Sequence, residues 1–135
     1  MPAFQSQSTA RRGSSVIVRR KKAVNEEDYF QRIKSAWPKK CEASLSLIAL
    51  ADEAVARFPE SPRLWCMRGN LIELGPAEAP HELGEALASY RRATEIAPCF
   101  TEAWEEIGHY YDSILDDEKS AAEYFAKARA LKTDA

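Results

Sequence analysis

Glycine is scarce in this 135-residue chain, at five residues, and no apolar run approaches the roughly 18 residues of a membrane-spanning helix. The composition, 45% hydrophobic and 30% charged, instead fits one soluble helical domain. Histidine is down to two residues, His81 and His109, on different elements. The cysteines Cys41, Cys66 and Cys99 are odd in number and none lies in CxxC spacing. That pattern excludes a disulfide framework and implies reduced thiols in an intracellular protein. With no cysteine at ligand spacing from either histidine, no metal site is expected. The histidines read as unpaired surface residues and the thiols as partly buried structural ones. The chain also lacks a phosphate-binding loop, a GxSxG and a nucleophile–base signature. Its paired acids, Glu105-Glu106 and Asp116-Asp117-Glu118, read as solvated helix faces. Neither catalysis nor a cofactor is expected.

Acid is missing from residues 1–25, which hold Arg11, Arg12, Arg19, Arg20, Lys21 and Lys22. Of 19 basic and 21 acidic groups in the chain, the remainder therefore keeps a net charge of −8. A basic tail sits on an acidic body. Residues 1–24 are rich in Ser, Gln and Arg, with Val16-Ile17-Val18 as the sole apolar island. Such a segment buries too little surface to offset its ordering entropy, and it reads as disordered. No apolar core follows its positive residues, so it is not a secretory signal. A cytoplasmic address follows, with an organellar transit peptide as the alternative in a eukaryotic source. Arg11-Arg12-Gly13-Ser14 resembles the short substrate motif of basic-directed protein kinases.

What the chain does have is an internal repeat. Trp65, Arg68-Gly69 and Ile72 precede Ala86, Tyr90, Ala93 and Pro98; Trp104, Ile107-Gly108 and Tyr111 precede Ala121, Phe125 and Ala128. Residues three and four apart share a helix face, so each group is one stripe of a helix. Gly inside a helix costs about 1 kcal/mol against Ala, which makes sense where a partner helix approaches the backbone. The alanines permit close packing, and Pro98 ends its unit. The pattern resembles the tetratricopeptide repeat, a helix–turn–helix of 34 residues. Arg68 stands where that family has Leu, and Ile72 where it has Tyr. The spacing from Trp65 to Trp104 is 39 residues, about five more than the family unit, placed between the helices near Gly75-Pro76 and Ala79-Pro80.

Asn25 followed by Glu26, Glu27 and Asp28 reads as the cap and first turn of a helix that Pro38 stops. A second helix is expected from about Glu42 to Phe58, and Ala54 to Pro59 repeats the spacing of Ala93 to Pro98. This is a degenerate first unit without the Leu-Gly pair. Ser61-Pro62 opens the second unit, whose later helix resumes near residues 81–85. Thr101 opens the third, which turns at Asp116-Asp117 and ends near Leu131. The resemblance implies an all-α fold, a right-handed α-solenoid of about three repeats at 25–60, 61–98 and 99–135.

In that family the concave face is lined by the second, fifth, ninth and twelfth positions of each first helix. Here these fall on Arg63, Cys66, Asn70 and Glu73, and on Glu102, Glu105, His109 and Asp112. Some members clamp a C-terminal carboxylate with basic groups there, but Glu102 and Glu106 would repel one. The resemblance thus implies a non-catalytic module binding a basic or mixed peptide, with an accessory or scaffold subunit as the alternative. Nucleic-acid contact through residues 11–22 is disfavoured by the acidic body and by the lack of aromatics among those cations. Only Lys132–Ala135 follow Leu131, so the last helix is expected to leave an apolar flank at Tyr124, Ala128 and Leu131, a surface for self-association or docking.

Overall fold

The structure is a computed structural model that describes residues 25–134, and the expectations for residues 1–24 lie outside the described residues. Four of the helices begin where the sequence supplies a side-chain acceptor for a free amide group. Asn25 Oδ1 accepts from the Asp28 amide at 2.8 Å while Asp28 returns the bond, a capping box that opens α1 (Glu26–Ser35). Ser44 Oγ accepts from Leu47 N and starts α2 (Leu45–Arg57) three residues later than Glu42. Ser61 caps α3 (Pro62–Glu73), with Pro62 in its first turn, where no amide is needed. Asp116 takes the left-handed conformation (φ 54) that lets the chain turn sharply after α5 (Thr101–Ser113). Asp117 Oδ1 then accepts from Ser120 N at the head of α6 (Glu118–Asp134). α4 (Gly84–Ile96) starts without a side-chain cap.

Among the described residues there are six helices and no strand. They pack as three successive hairpins, α1–α2, α3–α4 and α5–α6, and each hairpin leans on the next through α2–α3 and α4–α5. This is an α-solenoid. Helix α3 is its shared wall: Leu64 and Leu71 join the core of the first hairpin, while Cys66 and Ile72 join that of the next two.

The glycines act where the repeat places them. A Cβ on Gly108 would lie 2.6 Å from Phe125 of α6, and one on Gly69 would lie closer still to the Tyr90 ring of α4. The facing alanines Ala86, Ala93, Ala121 and Ala128 are all buried. In the first hairpin the sizes are exchanged. Ile33 occupies the register of Gly69, counted from the caps, and Ala51 that of Tyr90; both are fully buried. A second device joins the units. The Trp65 indole donates to the Pro59 carbonyl (2.9 Å), and the Trp104 indole donates to the Pro98 carbonyl (2.8 Å).

Two expectations change. His81 is not an unpaired surface residue: its Nε2 meets Asp52 Oδ2 at 2.7 Å and ties the long α3–α4 connection to α2. Asp52 also accepts from Arg68, whose guanidinium reaches Ser89 and Glu85 as well, so Arg68 replaces an apolar contact with a polar tie among α2, α3 and α4. The expected apolar flank of α6 is absent too. Tyr124 stacks on Tyr111 and Trp104 of α5, Ala128 is buried and Leu131 is half-buried. These residues form the stripe that packs inward. The exposed side carries Ala122, Glu123, Ala126, Lys127 and Arg129, small or charged.

The glycine contacts give opposite signs to one substitution. Gly69→Ala and Gly108→Ala should each cost roughly 1–3 kcal/mol, as overpacking does. Gly84→Ala, with nothing near its Cβ position, should stabilise by about 0.5–1 kcal/mol. Urea unfolding of the three variants checks this; equal effects at all three positions would contradict the packing.

Candidate peptide groove

The first helices of the hairpins share one face. Between α1 and α3 lies a cavity of about 270 Å³, floored by Phe30, Trp37 and Met67 and edged by Lys34, Arg63, Asn70 and Glu102 of α5. Arg63 donates to Glu26 and Glu27 at 2.6 Å each and stacks over the Phe30 ring at 3.8 Å, which fixes the cavity's mouth. A larger cleft of about 640 Å³ crosses the α2–α3 turn between Phe58, Pro59, Pro62 and Phe100. Glu26 is paired there with Arg63 and Glu60 lies 3.9 Å from Arg92, while Arg57 donates to the Tyr29 hydroxyl.

Beyond the cavity the groove is acidic. The Tyr90 ring, lying over Gly69, projects its hydroxyl to donate to Glu73 and to accept from Asn70 Nδ2 at 2.9 Å. Asn70 also hydrogen-bonds the Glu106 carboxyl. Burial raises the Glu73 carboxyl above the ordinary glutamate range, against the lowering effects of Tyr90 and His109. Burial likewise raises Glu106, with Asn70 and His109 opposing and Glu73 and Glu102 reinforcing. Glu102 is pushed the same way by loss of water and then by Glu105, less firmly because it stays exposed. None of the three forms an ion pair with a described Lys or Arg. Among the described residues, no three His, Cys, Asp or Glu converge on a metal position.

The eight expected face residues divide. Asn70, Glu73 and Glu102 stand together on the groove. Arg63 is there but engaged with Glu26 and Glu27. His109 is exposed, with its ring edge-on to Phe125 at 4.9 Å, near enough to influence Glu73 and Glu106. Glu105 turns to α6, where Lys132 Nζ meets it at 2.5 Å. Asp112 is exposed toward the end of α5. Cys66 is a correction: it is fully buried, so it belongs to the core and not to a partner-facing wall. Burial, then Glu102 and Glu106, push its thiol well up, which leaves it a poor nucleophile. Glu106 is not one of the eight counted positions, although the sequence already sets it beside Glu102 against a carboxylate ligand; it follows Glu102 by four positions and so shares its helix face.

No family profile matches the sequence. No curated protein matches it either. Solved structures do. A crystal structure of MamA superposes with a TM-score of 0.65 at 19% identity, covering 81% of this chain and 59% of that one. MamA from residue 41 to its end, from Desulfovibrio magneticus RS-1, gives 0.59 at 16% identity, covering 81% and 53%. The chain thus spans less than two thirds of either structure, and the likeness is one of fold: a tetratricopeptide-like helical repeat. No helix of the described residues is long and apolar enough to cross a membrane.

The raised carboxyls make a signed prediction. Folded Glu73 and Glu106 hold protons more tightly than they do unfolded, so their contribution is full below about pH 4.5 and is lost as pH rises through the folded values. Glu26 and Glu27, lowered by their hydrogen bonds, act in the opposite sense, so total stability is not the readout. Glu106→Gln should raise the urea midpoint above wild type at pH 7.5 and lose that advantage at pH 4. A lower midpoint at pH 7.5 would contradict the arrangement.

Proposed function

We propose that this domain is a non-catalytic interaction module that holds an extended segment of another protein along the face of α1, α3 and α5. An apolar side chain enters between Phe30, Trp37 and Met67. A neighbouring Lys or Arg meets Glu102 and Glu106, with Glu73 deeper and Asn70 orienting the backbone. Asp112 extends the negative field along α5. The observation that carries this reading is the set of three partly desolvated carboxyls without a Lys or Arg partner among the described residues, beside an apolar cavity. Carboxyls in that state cost the folded domain stability, and a ligand cation relieves the cost on binding. Repeat solenoids present such faces to partners, which agrees with the placement.

A peptide array that varies apolar and charged residues independently tests the proposal. Sequences pairing an aliphatic or aromatic residue with Lys or Arg should be retained, and high salt should weaken them. Glu102→Gln with Glu106→Gln should reduce affinity about tenfold, the equivalent of 1.4 kcal/mol. Enrichment of acidic peptides, or an affinity indifferent to the double substitution, would refute it.

A further inference from the structure

We propose that residues 16–22 of the chain itself are a ligand of this groove, docking in cis and occupying it until a partner displaces them. The inference rests on the groove reading above and adds its occupant. Residues 16–22 run Val16-Ile17-Val18-Arg19-Arg20-Lys21-Lys22, three adjacent apolar side chains followed by four consecutive cations. That is the chemistry the groove calls for: an apolar cavity at Phe30, Trp37 and Met67, then carboxyls that pair with no Lys or Arg among the described residues. The charge balance points the same way, since residues 1–25 carry no acid and the remainder carries the net −8.

Reach permits it. Lys22 and Val16 precede Asn25 by three and nine residues, spans of up to about 10 and 30 Å. Helix α1 is only about 15 Å long, and its Phe30 and Lys34, with Trp37 just beyond, line the cavity. The segment is therefore long enough to run the length of α1 to the cavity, and Glu102 is one of the residues that line that cavity. Two positive groups face the segment. Arg63 is already balanced by Glu26 and Glu27, and Lys34 stands alone against three carboxyls, so attraction prevails. A short tether supplies an effective concentration on the order of millimolar, enough to populate even a weak contact.

The three tryptophans provide the test. Trp37 lines the groove, whereas the Trp65 and Trp104 indoles are fixed to the Pro59 and Pro98 carbonyls and serve as internal references. The full chain is compared with a full chain carrying Arg19→Gln, Arg20→Gln, Lys21→Gln and Lys22→Gln, by indole ¹H–¹⁵N spectra. The Trp37 resonance should differ between the two while the references coincide. The difference should vanish near 1 M salt, where screening shortens to about 3 Å, and should not depend on protein concentration. A synthetic peptide of residues 14–24 should bind the Gln chain about tenfold more tightly than wild type, because the tethered segment no longer competes. Coincident Trp37 resonances would overturn the proposal. In that event, peptide binding to the Gln chain that Glu102→Gln and Glu106→Gln abolish would leave the groove reading standing alone. Failure of any basic peptide to bind would remove both. A Trp37 difference that grows with concentration would assign the segment to a second copy and overturn the cis contact.

Discussion

The approach of two helices at a residue without a side chain is the constraint on which the rest of the molecule depends. At Gly69 and Gly108 an aromatic ring from the second helix occupies the space a Cβ would take. The hairpins can then close onto fully buried alanines, and the distance between their axes follows. At Gly69 the same contact has a second effect. The ring is a tyrosine, and its hydroxyl emerges on the far side of α3 within bonding distance of Glu73 and Asn70. A packing requirement on one face of α3 thereby sets the hydrogen bonding of the other. The first hairpin solves the same volume problem in reverse, with bulk on α1 at Ile33 and the small residue on α2 at Ala51.

Charge is handled differently on the two sides of the solenoid. Toward the second helices, charges meet opposite charges: Arg68 with Asp52 and Glu85, Arg92 with Glu95. Toward the first helices, Arg63 is matched, yet Glu73, Glu102 and Glu106 pair with no Lys or Arg among the described residues. The same helices therefore present an electrostatically settled face and an unsettled one. Because desolvation strengthens every interaction of a charge, the unsettled face is where an incoming cation gains most.

The parts of this architecture legible in the sequence were those governed by local spacing. The caps at Asn25 and Ser61, the glycines and their facing alanines, and the turn at Asp116-Asp117 all depend on residues within a turn or one hairpin. Arg68 and His81 were opaque because their partners lie 16 and 29 residues away, and nothing local marks Asp52 as an acceptor for both. Cys66 and Glu105 were placed on the groove by counting along an idealised helix face. α3 is packed from two sides and buries the first, while α6 captures the second through Lys132. Tyr124 and Ala128 were given to a bare flank for want of knowing which stripe of α6 meets α5; the stacked rings of Trp104 and Tyr111 decide it.

The indole–carbonyl bonds at Pro59 and Pro98 have a bearing on how such a chain is assembled and inherited. Each tryptophan finds its acceptor only where the preceding unit has already turned, so the joint is written across the seam between units and belongs to neither alone. During synthesis, a finished hairpin offers the emerging one a fixed point of attachment, and order can propagate from the earlier unit to the later. A whole-repeat insertion or deletion keeps the joint only if the unit brought before the tryptophan presents a carbonyl at the place of Pro59 or Pro98.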